Sequence, residues 1–153
     1  MCGIIGCSLS KSSNYNILKQ LEKLEYRGYD SCGVTDLINN QFFTFKSTFR
    51  IDDLIKQRNT KSNISIAHTR WATHGDVSLT NCHPIQSSNK KYAIVHNGII
   101  ENYLELKSKY LSNYTFNTTT DTEIIINLIG ELFLFNSSNK LIIISVSVVV
   151  LNV

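Results

Sequence analysis

The spacing of apolar residues changes repeatedly along this 153-residue chain, and the order of those changes constrains the fold more than any single motif. Residues 3–9, GIIGCSL, read as a short buried strand that begins almost at the N-terminus. Ile17, Leu18, Leu21 and Leu24 then recur at helical spacing, with Lys19, Gln20, Glu22 and Lys23 on the other face. Gly28 is expected to stop that helix as its C-cap. Strands are expected over 31–38 and 41–46, with Asn39-Asn40 between them as a hairpin turn, because Asn tolerates the left-handed conformation. Residues 51–58 look like a short helix, 62–68 a strand, 70–90 a polar irregular stretch, and 91–96 a strand ending in Asn97-Gly98. A helix follows over 101–111. Thr120 and Glu123 fit the S/T-x-x-E capping box before the apolar run IIINLIGELFLF, read as a helix with Gly130 a weak point worth about 1 kcal/mol against Ala. Strands with helices inserted among them, in no regular βαβ series, define an α+β chain.

Residues 141–151, LIIISVSVVVL, form an apolar, β-branched tract. A helical membrane span needs about 20 residues, so the tract reads as a strand and no membrane association is expected. Hydrophobic residues make up 42% of the chain, which excludes a disordered polypeptide. The length suits one domain. A net charge of +3, with its Lys and Arg scattered rather than striped, gives no reason to expect nucleic acid. The four cysteines, at 2, 7, 32 and 82, show no CxxC and no zinc spacing. The N-terminus lacks a basic region and a long apolar stretch, so no secretory signal is expected, and reduced thiols in the cytoplasm are the default. The sequons at Asn63, Asn113, Asn117 and Asn136 are what an Asn-, Ser- and Thr-rich chain produces by chance.

Five places carry residues able to do chemistry. Removal of Met1 would leave Cys2 with a thiol and a free α-amine on one residue. A thiolate is a strong nucleophile, and an N-terminal amine can serve as its base. Taken alone, Cys2 reads as an ordinary buried thiol beside an apolar strand. Arg27-Gly28-Tyr29-Asp30-Ser31 makes a tight polar turn after the first helix, for which a helix end suffices. His68-Thr69-Arg70-Trp71-Ala72-Thr73-His74-Gly75 packs two His, an Arg, two Thr and the only Trp into eight residues at a strand end. Arg70 can bind a carboxylate bidentately and Trp71 can wall a pocket. The two His have no acidic neighbour, so no metal site is expected. His96-Asn97-Gly98 sets a side-chain amide beside a glycine N–H, a pair able to hold an oxyanion or simply to turn the chain. Asp121 would suit the N-terminal end of a helix through the dipole alone.

In combination these pieces are more specific. CGIIG, RGYDSCG, HTRWATHG, NCHPI, HNGIIENY and TDTE occur in this order between residues 2 and about 135. The set resembles the class II glutamine amidotransferases, whose glutaminase domain is an N-terminal-nucleophile hydrolase. Trp71 and Ile99-Ile100-Glu101-Asn102 are most similar to the branch that makes amino sugars. The amidophosphoribosyltransferase branch, with Tyr at the position of Trp71, remains an alternative, and the asparagine synthetase branch differs in its arginine block.

The resemblance implies a four-layer αββα sandwich. It implies Cys2 as nucleophile on the side-chain amide of L-glutamine, with Asn97 and Gly98 as oxyanion hole. Arg70 would pair with the substrate α-carboxylate and Asp121 with its α-ammonium, while Trp71, Thr73 and His74 line the pocket. His83 lies in a block similar to the family's without a firm role. No cofactor and no metal are implied. In complete members, expected to be homo-oligomers, a sugar isomerase domain uses the ammonia to turn fructose 6-phosphate into glucosamine 6-phosphate. No segment of this sequence resembles that domain, which is therefore expected to be absent. Residues 1–135 are expected to be a partial glutaminase domain, incomplete at its C-terminal end, and 136–153 a divergent tail. An inactive remnant that still binds glutamine is the competing expectation. Cys82 and Ile85 stand where Ala and His are more usual.

Overall fold

The computed structural model describes residues 2–9, 16–28, 30–72, 76–134 and 142–147. Strand β1 (Gly3–Ser8) leads to helix α1 (Ile17–Glu22), a 3-10 turn over Glu25–Arg27, and strands β2 (Ser31–Ile38) and β3 (Gln41–Ser47). Helix α2 (Ile51–Gln57) precedes β4 (Ile64–Arg70), β5 (Ile85–Gln86) and β6 (Tyr92–Asn97). Helices α3 (Tyr103–Tyr110) and α4 (Thr122–Leu134) follow, then β7 (Ile142–Ser147).

The strands form two sheets. The first has the order β1-β4-β2-β3, antiparallel throughout. The second has the order β5-β6-β7, antiparallel between β5 and β6 and parallel between β6 and β7. Alternation along each strand distributes the core over three layers. Ile17, Leu18 and Leu21 of α1 and Ile51 and Leu54 of α2 bury against Cys32, Val34 and Ala67 on the outer face of the first sheet. Ile66 of β4 meets Ala93 and Val95 of β6, with Ile4 and Phe42 at the margins, and joins the sheets face to face. Ile85, Tyr92 and Ile94 pack against Ile126 of α4. The result is helices, sheet, sheet, helices, the expected αββα sandwich.

The hairpin forms as expected. Asn39 and Asn40 take positive φ of 49° and 58°, and Ile38 pairs with Gln41. Other boundaries shift. The first helix ends at Glu22, and Gly28 follows the 3-10 turn instead of capping α1. Its φ of 179° is extended backbone, so conformational freedom is not the reason for glycine there. A Cβ would stand 3.0 Å from the Arg70 carbonyl group and from the Trp71 nitrogen, so Gly28 admits the end of β4. The capping box does not close. Thr118 Oγ1 accepts the Thr120 N–H at 3.2 Å, and the Glu123 carboxylate reaches back to the N–H groups of Asn117 (2.9 and 3.1 Å) and Thr118 (2.7 Å). Glu123 thereby secures the preceding loop, and α4 starts at Thr122. Within the stretch read as irregular, Ile85 and Gln86 pair with Ile94 and Ala93. Two residues are too few to show a period, and their partner lies on β6. Residues 142–147 of the apolar tract form β7, while 141, 148–151 and the expected domain boundary near 135 lie outside the described residues.

Candidate active site at the end of the sandwich

The antiparallel pairing of β1 with β4 places Gly3 opposite Thr69. A Cβ on Gly3 would come within 2.7 Å of Leu24 Cβ and 2.8 Å of Thr69 Oγ1, so only glycine lets β1 start there. The Gly3 N–H donates to Thr69 Oγ1 at 2.9 Å. Cys2 is thus held at the open end of the sandwich, beside the residues that follow β4. The Trp71 N–H points at Cys2 Sγ at 3.2 Å, and Asn97 Nδ2 at the end of β6 lies 3.4 Å from the Cys2 carbonyl oxygen.

A cavity of about 250 Å³ opens beside Cys2. Arg70, Trp71, Asn97, Gly98 and Asp121 line it, together with His68, His83, His96, Ile99, Thr120 and Thr122. Arg70 is buried and its Nη1 donates to the Asp76 carbonyl at 3.2 Å. Asp121, also buried, accepts the Ile100 N–H on Oδ2 at 2.8 Å. Trp71 is half exposed at the rim. A guanidinium, a carboxylate, a thiol and an amide donor therefore share one small cavity, the set needed to hold an amino acid by both α-groups beside a nucleophile.

Six of the eight residues predicted from sequence, Cys2, Arg70, Trp71, Asn97, Gly98 and Asp121, come together. Thr73 and His74 lie outside the described residues. The turn Arg27–Ser31 also contributes: the Asp30 carboxylate accepts the Ala72 N–H, and the Asp30 N–H donates to the Arg70 carbonyl at 3.2 Å. This turn holds the backbone on either side of Trp71.

The cavity floor is made of residues to which the sequence analysis gave no firm role. His83 Nε2 is 3.0 Å and His96 Nδ1 3.1 Å from Thr122 Oγ1. His68 lies against His83 with ring centroids 4.6 Å apart. Burial, and then the Arg70 guanidinium, push the His68 imidazole down to about 3. Burial, followed by the His68 and Arg70 charges, holds His83 well below the usual range, and burial lowers His96 against the attraction of Asp121. Three neutral rings thus lie next to a cationic guanidinium. The sequence offered a signal for two of them: His68 shares a face of β4 with Arg70 by parity, and His96 adjoins Asn97 in the chain. Among the described residues, no three His, Cys, Asp or Glu side chains converge as metal ligands.

A near-terminal cysteine that shares one cavity with an amide, a guanidinium and a carboxylate at the end of an αββα sandwich fits an amidotransferase domain. Comparison with known proteins agrees: residues 53–133 match the model of the glutamine amidotransferase domain, and the chain belongs to that family. Among curated proteins it is 47% identical over 133 residues to glutamine–fructose-6-phosphate aminotransferase (isomerizing) of Bacillus anthracis, covering 86% of this chain. It is 46% identical over 131 residues to the enzyme of the same name from Halalkalibacterium halodurans. The Staphylococcus epidermidis enzyme of that name gives 46% over 132 residues. The chain spans 22% of the length of each of these relatives.

Among solved structures, the glutamine phosphoribosylpyrophosphate amidotransferase of B. subtilis, complexed with ADP and GMP, superposes with a TM-score of 0.69. The match covers 83% of this chain and 29% of that one at 24% identity, a likeness of fold alone. The amidophosphoribosyltransferase alternative rests on that structural likeness, whereas the sequence relatives carry the amino-sugar name.

Proposed function

We propose that the cavity binds L-glutamine and that Cys2, with Met1 removed, hydrolyses its side-chain amide to glutamate and ammonia. Arg70 receives the α-carboxylate and Asp121 the α-ammonium, with Trp71, Thr73 and His74 around the chain of the substrate. Cys2 Sγ bonds to the amide carbon while its own α-amine takes the thiol proton. The oxyanion that forms is held by Asn97 Nδ2 and the Gly98 N–H. The same amine returns the proton to the leaving nitrogen, which departs as ammonia. Water then cleaves the thioester and releases glutamate and the thiol. In the longer relatives the printed name couples this donor to fructose 6-phosphate. By that likeness the ammonia made here serves amino-sugar formation when an isomerase region is supplied. Four free thiols suit a reducing, cytoplasmic compartment.

The observation that carries this reading is the placement of Cys2 Sγ, with the Trp71 N–H 3.2 Å away, in the cavity shared by Arg70, Asn97 and Asp121. A diazoketone analogue of glutamine tests it. The chain freed of Met1 should be alkylated once, at Cys2, with glutamine protecting, and should release ammonia from glutamine. A chain that keeps Met1 has no α-amine on Cys2 and should release none. Equal ammonia release by both forms would exclude the N-terminal amine as base. Glutamine protection without ammonia release would leave a glutamine-binding module.

A further inference from the structure

The Thr122 side chain is 1% exposed, and its two nearest polar partners, His83 and His96, are 6% and 5% exposed. They come from three separate parts of the fold: the loop before β5, the end of β6 and the first residue of α4. Each site residue concerned adjoins this cluster in sequence, Asp121 beside Thr122 and Asn97 beside His96. The loop can enter because Gly33 lacks a Cβ, which would stand 2.2 Å from the His83 carbonyl oxygen. His68 closes the layer from β4, two residues before Arg70 on the same face.

We infer that the Thr122 hydroxyl is the positioning group of this site: by bridging His83 and His96 it sets the start of α4 against the end of β6 and holds Asp121 and Asn97 in register with Cys2. A hydroxyl carries one proton and accepts through two lone pairs. Between two neutral imidazoles it can donate to one ring nitrogen and accept an N–H from the other, or accept from both, and either arrangement fixes both ring orientations. The other charged or titratable groups lining the same cavity are His68 and Arg70 on β4, Asp121 just before α4 and Cys2 ahead of β1. Valine would fill the same volume and leave two buried ring nitrogens without their partner. Serine would keep the bridge and lose only a methyl group. A packing role predicts the reverse order, with valine better tolerated than serine.

The role assigned to Asp121 and Asn97 rests on the glutamine reading above, and two independent measurements separate the inferences. Hydrogen exchange read by mass spectrometry follows the Ile100 N–H, which Asp121 holds at 2.8 Å. In Thr122→Val its exchange should rise about tenfold or more, the equivalent of one lost buried hydrogen bond. In Thr122→Ser it should stay near the wild-type rate. Alkylation of Cys2 by the diazoketone should show, in Thr122→Val alone, a higher half-saturating concentration and a lower limiting rate, each by about tenfold. If Thr122→Val does not fold, His96→Asn and His96→Leu read the same bridge from its other side. The asparagine amide can stand where Nδ1 stands and should behave like wild type, whereas leucine should expose Ile100 to exchange. Wild-type behaviour of Thr122→Val, or a serine variant as impaired as the valine one, overturns the inference. A wild-type chain that resists the diazoketone but shows the exchange contrast removes the glutamine reading and leaves the bridge standing.

Discussion

Arg70 shows how one residue acquires its role from its surroundings. It ends β4 on the face turned toward the second sheet, is 4% exposed, and meets the Asp76 carbonyl at 3.2 Å. A charge-assisted contact between such a guanidinium and a ligand carboxylate contributes roughly 1.5–3 kcal/mol. Arg70→Ala should therefore weaken glutamine binding by about one to two decades. A calorimetric titration with glutamine, repeated with the amine that lacks the α-carboxylate, checks this. Equal losses for both ligands would show that Arg70 does not read the carboxylate. That Arg70, Asn97 and Asp121 share one cavity was legible in the chain because the surrounding blocks are long and specific. Thr122 and His96 were not, since a threonine at a helix start and a histidine in a strand are each accounted for locally. Only their approach to 3.1 Å across the fold makes a bridge of them.

At the level of the elements, Asp36 joins three of them at the far end of the first sheet. It lies on β2, is fully buried, and receives both Nε and Nη2 of Arg58, just after α2, at 2.8 and 3.0 Å. Thr60 also donates to it, and Ser65 on β4 donates at 2.6 Å. The Arg58 side chain is only 9% exposed. Removing the carboxylate strands a buried guanidinium, so Asp36→Ala should destabilise the fold by about 3–5 kcal/mol. Chemical denaturation should show the loss as a lower midpoint, and Asp36→Asn should fall between Asp36→Ala and wild type. Strands β2 and β3 were legible because their alternation and the Asn39-Asn40 turn are local. The start of α4 was misread for a physical reason: Glu123 had two sets of N–H groups in reach. It chose those of Asn117 and Thr118, which the preceding loop brings back to it.

Across the whole molecule, the polar residues buried at the site tie stability to pH. His68, His83 and His96 all titrate lower in the folded chain than an exposed histidine does. The unfolded chain therefore binds more protons between its histidine pKa near 6.5 and the folded value, about 3 for His68. Stability is fully present above pH 6.5 and declines as the pH falls through that window. The slope is up to about 1.4 kcal/mol per pH unit for each ring involved. Urea midpoints at pH 7.5, 6 and 5 should fall in that order, and replacing His83 by Gln should flatten the trend. Midpoints independent of pH would mean that the rings take up protons as freely in the folded chain as in the unfolded one. The second sheet adds an expectation about association. Among the described strands β7 pairs with β6 alone, so its other edge offers unpaired N–H and C=O groups. Size-exclusion chromatography should show species heavier than the 17.4 kDa monomer, increasingly so at higher concentration. A single monomeric peak at every concentration would show that this edge is closed.

The amino-acid order by itself determined the α+β class, the hairpin, most strand and helix cores, and six of the residues that line the cavity. These depend on local periodicity, on turn chemistry, and on motifs that lie within one segment each. Tertiary structure alone decided which sheet each strand joins, that Gly28 and Gly33 admit neighbouring backbone, that β5 is a strand at all, and that two histidines meet one threonine beneath the cavity while a third lies against one of them. Those outcomes depend on contacts between residues far apart in the chain, as with Cys2 and Trp71, His83 and Thr122, or Asp36 and Arg58. Such contacts form only when burial of the layers brings the segments together, and no short-range pattern records them.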